Sequence, residues 1–303
     1  MNNNELVSII IPTYNREKII GETIECAINQ SYKNIEIIIG DNYSTDNTFS
    51  IIEKYAKNDN RITLFKNKEN LGPVRNWQEC INKAKGKYLK ILWSDDLISK
   101  DFIEETIKLF DKDTAFVFTT TEIFYNDGKK HSAYLQKNTI ISSKNYIEKS
   151  VLNESDFPLS PGCAIFRTID VKNNLIIEID NNDGLIFNKY GAGNDLLIFL
   201  LTAINYKYVK HIQEVKSYFR AHKGSISCTN DINLYYEWAR KYVSIIYNNQ
   251  KLKNKFKTKI YILSIFFKNY KNINLSTEGN INFNYFFKKV FSNIYLAIKN
   301  KII

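Results

Sequence analysis

The sequence predicts an α/β fold: a mixed, mainly parallel sheet flanked by helices, followed by a helical basic extension. Three observations predict it. Apolar runs of strand length alternate with segments of helical periodicity through the first 110 residues. Four successive strand ends carry polar residues. Charge then divides the chain. Residues 231–303 hold 13 Lys and Arg against 3 Asp and Glu, while the first 230 residues hold 29 of each and are neutral.

Residues 7–12 are a continuous apolar, β-branched run closed by Pro12, the pattern of a strand buried on both faces. Residues 17–31 place Ile19, Ile20, Ile24, Ala27 and Ile28 on one helical face. Residues 35–40 make a second buried strand, ending in Asp41-Asn42. Ser44 or Asp46 is suited to cap a helix over 47–56. A short third strand covers 62–65. The break Asn70-Leu71-Gly72-Pro73 leads into a helix over 74–84. A fourth strand, 88–93, ends in Ser94-Asp95-Asp96. Such alternation indicates parallel βαβ units.

Beyond Asp113 the alternation loosens. A strand is expected over 115–124, a helix over 143–152 and a Pro/Gly-broken segment over 158–167 that leads into a short strand. An apolar helix over 195–203 and one or two strands over 206–220 follow. From Leu234 onward Tyr235, Tyr236, Trp238, Tyr242, Phe256 and Tyr261 interleave with lysines. The expected organisation is a domain over 1–230, with halves 1–112 and 113–230, and an extension over 231–303.

Composition narrows the function classes. The four cysteines are widely spread with no CxxC pair, as in a protein with reduced thiols rather than a disulfide framework or zinc site. The opening Met-Asn-Asn-Asn-Glu runs at once into a strand, so no signal peptide is expected. No apolar stretch approaches the roughly 20 residues that span a bilayer. A cytoplasmic protein is expected. The neutral body argues against a nucleic-acid partner, and neither GxxxxGK[ST] nor GxGxxG occurs.

The chemistry concentrates where residues 88–93 end in Asp95-Asp96. In open α/β sheets ligands bind beyond the carboxyl ends of strands. Two adjacent acids repel each other and resist desolvation unless a cation lies between them. A divalent metal carrying phosphate oxygens meets that need. The alternative is an acidic turn or a cap on a helix over 99–110. Three companion strand ends favour the ligand reading: Pro12-Thr13-Tyr14-Asn15-Arg16, Asp41-Asn42-Tyr43-Ser44-Thr45-Asp46, and Asn70-Leu71-Gly72 with Arg75-Asn76.

In their order and spacing these elements resemble the family 2 glycosyltransferases, inverting enzymes of the GT-A (nucleotide-diphospho-sugar transferase) fold. The resemblance covers about the first 110 residues. It implies a nucleotide-diphosphate sugar donor, UDP-linked by preference, and as acceptor a hydroxyl of a glycan or lipid-linked saccharide in bacterial surface polysaccharide synthesis. Pro12, Thr13, Tyr14 and Arg16 would line the base and ribose, and Asp41 would read the base or else cap the next helix. Asn70 and Gly72 would brace the donor, and Arg75 would face the diphosphate or solvent. Asp95 matches the metal ligand of the Asp-x-Asp signature, with Mn²⁺ or Mg²⁺ as cofactor. Trp93 stands where that signature has its first acid, so Ser94 is the replacement contact. Asp96 would orient Arg75 or a water, or cap the following helix.

Two later segments extend the resemblance. Gly193-Asn194-Asp195 makes Asp195 the candidate general base or an N-cap. The run from Tyr218 to Ser227 matches an Arg-x-His-x-x-Ser segment. There His222 would be a metal or diphosphate ligand, and Arg220 and Lys223 would neutralise the leaving group. Pro161-Gly162-Cys163 would form part of the acceptor wall. The basic aromatic extension suits either peripheral contact with an anionic membrane on its inner face or packing on the domain. A non-catalytic nucleotide-sugar-binding scaffold is the competing reading, because one acid of the signature is missing.

Overall fold

The computed structural model describes residues 4–222, 225, 231–266, 270 and 273. Its N-terminal half follows the predicted order: β1 (Val7–Thr13), α1 (Ile20–Ile28), β2 (Ile35–Asp41), α2 (Thr48–Asn58), β3 (Ile62–Lys66), α3 (Pro73–Lys83) and β4 (Tyr88–Ile91). The fourth strand closes two residues early, because Trp93 accepts a turn hydrogen bond from the Asp96 amide. Then come β5 (Leu97–Ile98), α4 (Phe102–Ile107), β6 (Thr114–Tyr125), β7 (Lys130–Ala133) and β8 (Ile140–Ser142). The chain continues through α5 (Ser143–Leu152), a 3₁₀ turn at Pro161–Cys163, β9 (Ala164–Arg167), α6 (Thr168–Asn174) and α7 (Asn194–Ile204). It ends in the long strand β10 (Tyr208–Ala221) and helices α8 (Asn233–Ile246) and α9 (Gln250–Phe266).

The strands form one mixed sheet in the order β3-β2-β1-β4-β9-β6-β10-β5, with β7 on β6 and β8 on β10. The first four are parallel, and β9 enters antiparallel between β4 and β6. Because β1 lies between β2 and β4, strand order reverses there. That places a switch-point crevice beyond the carboxyl ends of β1 and β4.

Alternation along the strands divides the core in two. Val7, Ile9 and Ile11 face α1, α2 and α4, together with Ile35, Ile37 and Ile39. Ile10 and Ile38 face the opposite layer, where α3, α5, α6 and α7 pack. All seven residues of β1 are buried, and each fully buried Ile is worth about 1.5–3 kcal/mol. Lys90, in the middle of β4, is also fully buried. Its ammonium donates to the Gly162 carbonyl and lies 4.3 Å from the Phe102 ring centre. Burial lowers its pKa to about 8.

The described part of the extension packs on the domain. Tyr235, Trp238, Ala239 and Val243 of α8 and Leu252, Phe256 and Ile260 of α9 join the core that contains α5 and α7. Among the described residues no helix is long and apolar enough to cross a membrane.

The loop after β3 is held by one buried side chain. Asn42 Nδ2 donates to Asn70 Oδ1 (2.8 Å) and Gly72 O (3.2 Å), while its Oδ1 accepts from Asn67 Nδ2 and the Leu71 amide, each at 3.0 Å. Removing a buried group with that many partners orphans all of them. Asn42→Ala should therefore lower unfolding free energy by about 2–3 kcal/mol. Chemical denaturation checks this, and a loss below about 0.5 kcal/mol would show the clamp to be dispensable.

Candidate active site

A cavity of about 680 Å³ opens at the switch point and is lined by Pro12, Arg16, Ser94, Asp95, Asp96, Asp195 and Arg220, seven of the residues singled out from sequence. Its acidic corner is organised by Arg16, His222 and Arg220. Arg16 Nη2 lies 3.3 Å and His222 Nε2 3.1 Å from Asp95 Oδ2. Arg220 donates its Nε to the Asp95 carbonyl (3.2 Å) and its backbone N–H to Asp96 Oδ1 (3.0 Å). The Arg220 guanidinium also stacks on Phe124 and pairs with Glu22. Asp96 is buried, and burial, reinforced by the Asp95 charge, pushes its pKa well above the usual carboxylate range. The two acids thus divide their roles. Asp95 faces the cavity between Arg16 and His222, and Asp96 is tied to the Arg220 backbone.

Asp95 and His222 bring one carboxylate and one imidazole together, an O and N donor pair suited to a divalent cation that also takes phosphate oxygens. Among the described residues no group of three His, Cys, Asp or Glu side chains converges on one point. A metal here would therefore draw its remaining ligands from donor and water. Trp93, in place of the signature acid, donates its indole N–H to Ser160 Oγ (2.7 Å) and packs on Trp77 with ring centres 4.7 Å apart. It forms a cavity wall rather than a ligand.

Beside the corner, Thr13 and Asp41 are paired across β1 and β2. Asp41 is fully buried. Its Oδ2 accepts from the Ser44 amide (3.1 Å), with Lys66 Nζ at 3.7 Å, whereas Oδ1 has no hydrogen-bond partner. Thr13 Oγ1 and Arg16 Nε are likewise buried without partners. Three orphaned polar atoms at adjoining strand ends are unusual in a folded interior, and they mark where a polar ligand would bind. Ser44 Oγ accepts from the Asn15 amide, and Asp46 Oδ1 accepts from the Thr48 amide at the start of α2. Both residues serve the loops.

Other predicted positions lie outside the cavity lining. Tyr14 is exposed. Asn70 is exposed and engaged with Asn42. Gly72 opens α3 at φ +79°, and Arg75 is exposed on the first turn of that helix. Pro161, Gly162 and Cys163 are buried behind the wall, which Ser160 lines in their stead. Lys223 lies outside the described residues.

Asp195 sits in the first turn of α7, 8% exposed. Its Oδ1 accepts from the Gly193 and Leu196 amides at 2.9 and 2.7 Å, bonds made from within the first turn, since the N-cap of α7 is Gly193 and not Asp195. Its Oδ2 accepts from the Tyr236 hydroxyl at 2.9 Å. Gly193 is required here. Its φ is +85°, and a Cβ would lie 2.8 Å from the Tyr235 carbonyl. Burial outweighs these hydrogen bonds and raises the Asp195 pKa to about 7. A carboxyl that titrates near neutrality inside a cavity is suited to accept a proton.

Tyr236 was not legible as a site residue. It lies in the basic extension, among aromatics whose spacing signals only an amphipathic helix. Trp77, Ser160 and Arg240, which also line the cavity, carried no motif.

Tyr236→Phe removes a hydrogen bond that favours the ionised carboxylate, so the Asp195 pKa should rise by about one unit. Carboxyl-carbon NMR titration should give a midpoint near 7 in the native protein and a higher one in the variant. An unchanged midpoint would mean that Tyr236 does not govern Asp195.

Comparison with known proteins places this geometry. Residues 8–174 match the model of glycosyl transferase family 2. WfaP of Escherichia coli, named as a UDP-Glc:α-D-GlcNAc-diphosphoundecaprenol β-1,3-glucosyltransferase, is 30% identical over 226 residues, 74% of this chain and 80% of its own. TuaG of Bacillus subtilis (strain 168), named for teichuronic acid biosynthesis, is 36% identical over 124 residues, 41% of this chain and 49% of its own. Several of the relatives are matched over only 34–49% of their length. The crystal structure of S. aureus TarS 1–349 with UDP-GlcNAc superposes with a TM-score of 0.66 at 20% identity, covering 90% of this chain and 76% of that one. It shares the fold. On the extent of the family match and the similarity to WfaP, the chain belongs to glycosyl transferase family 2.

Proposed function

We propose that the chain is an inverting glycosyltransferase that moves a sugar from a nucleotide-diphosphate donor, UDP-linked by preference, to a hydroxyl of a glycan or lipid-linked saccharide during bacterial surface polysaccharide synthesis. The carrying observation is that one cavity holds both the cation-flanked Asp95 and an Asp195 poised near neutrality. In this reading residues 1–230 are the GT-A transferase domain, with a donor half over 1–112 and an acceptor half over 113–230. Residues 231–303 are its extension.

The buried Asp41 and Thr13, with their unpartnered oxygens, bind the base and ribose side of the donor. Arg16 and Arg220 face the diphosphate and stabilise the charge that develops as it leaves. Asp95 and His222 would hold Mn²⁺ or Mg²⁺, which would neutralise diphosphate charge when bound. Asp195 Oδ2 removes the proton of the acceptor hydroxyl as that oxygen bonds to the anomeric carbon. The carbon–phosphate oxygen bond breaks on the opposite face, so configuration inverts. The UDP preference draws support from the donor in the name of WfaP and from the ligand solved with TarS.

Thermal shift with UDP-, GDP-, CDP- and dTDP-sugars and Mn²⁺ tests the donor site, since ligands of the folded state raise its melting temperature. UDP-sugars should give the largest rise, and Asp95→Asn should remove the metal-dependent part. A shift that is the same in that variant would refute the metal assignment.

For the chemistry, Asp195→Asn should cut transfer by about 10²–10⁴-fold while donor affinity is retained. Native activity should rise with pH through about 7, because only the ionised carboxylate accepts a proton. A variant rate within threefold of native would exclude Asp195 as base.

A further inference from the structure

We propose that Arg240 forms a subsite at the acceptor end of the cavity for an anionic group, a phosphate or a carboxylate, carried by the acceptor close to the hydroxyl that Asp195 serves. The inference rests on the transfer reaction above and adds the charge class of the acceptor.

Arg240 lies on α8, is 4% exposed and lines the cavity together with Asn153, Asn233, Tyr236 and Glu237. Its guanidinium is fixed from three sides. Nε donates to the Ser150 carbonyl (3.0 Å), Nη1 to Glu237 Oε1 (2.8 Å) and Nη2 to Asn153 Oδ1 (3.2 Å). A guanidinium has five N–H groups. Among the described residues, these three bonds leave one on each terminal nitrogen without a partner. A buried guanidinium that lines a cavity with an N–H left on each terminal nitrogen is a group suited to a phosphate or carboxylate.

The charge around the fork is consistent with this. The Glu237 carboxylate is shared between Arg240 and Lys259, whose Nζ lies 2.8 and 2.9 Å from its two oxygens. Three side chains, all nearly buried, thus carry one negative and two positive charges.

The subsite is within reach of the reacting hydroxyl. Tyr236 gives its hydroxyl to Asp195 at 2.9 Å, and the Arg240 guanidinium lies 5.9 Å from the centre of the same ring. One tyrosine side chain, about the span of a sugar ring, therefore separates the proton acceptor from the cation.

Docking α8 on the end of α5 explains the bonds to Ser150 and Asn153, but it predicts no ligand preference. Binding of N-acetylglucosamine, N-acetylglucosamine 1-phosphate and glucuronic acid, measured by NMR titration of the full chain saturated with UDP and Mn²⁺, separates the two. At least one acidic sugar should bind about tenfold or more tightly than the neutral one. The phosphate arm and the carboxylate arm tell which kind of acceptor is served. Arg240→Gln should abolish the advantage and leave UDP affinity unchanged. Because Lys259 still answers Glu237, this variant leaves no bare carboxylate behind.

Equal binding of neutral and acidic sugars by the native chain would overturn the proposal, whether or not the variant folds. So would an advantage that survives Arg240→Gln. If UDP does not bind, the transferase reading fails. The same sugar comparison on nucleotide-free protein still decides the subsite.

Discussion

Two adjacent carboxylates at the end of a buried parallel strand are the constraint around which this molecule is arranged. Their mutual repulsion cannot be relieved by water alone, since Asp96 is buried and Asp95 largely so. The fold separates them instead. Asp96 is turned into the structure, where the Arg220 amide meets it. Asp95 is turned outward between a guanidinium from the β1 loop and an imidazole from the segment after β10. The loop after β1 and the end of β10 with its following segment, distant in sequence, meet here, and each contributes a group to one of the acids. The parallel strands supply the geometry, because their carboxyl ends emerge together on either side of the switch point.

The residues that made this legible in sequence are those whose pattern follows from burial. The Ile runs of β1 and β2 read as strands because both faces are covered, and Asp41 and Asp95 stood out as charges that interrupt them. Ser143–Leu152 was legible to the residue because Ser142 and Asn153 cap it in the expected manner. The short strands β5, β7 and β8 escaped, since two to four residues at a sheet margin carry no periodicity. Helix α6 escaped for a related reason, its seven residues burying only Thr168 and Val171.

The acceptor side was less legible because its residues owe their place to tertiary packing. Asp195 was found only through its position before an apolar helix. Its bonds to the first-turn amides and to Tyr236 occupy different oxygens of one carboxylate. The aromatics of α8 were compatible with a lipid surface or with a protein core, and spacing alone does not choose between them. In the described part Tyr235 and Trp238 are buried. Tyr236, next to both, is turned to the cavity, a distinction that depends on which way the helix is rotated against α7.

The family match ends at residue 174, and that boundary has a consequence. Thr13, Arg16, Asp41 and Asp95 lie before it, whereas Arg220 and His222, which complete the acidic corner, lie after it. Asp195, Tyr236 and Arg240 lie after it as well. The segment from α7 through α8 carries β10 between its helices, so that end of the cavity cannot be exchanged without carrying a strand of the sheet, and Arg220, along with it.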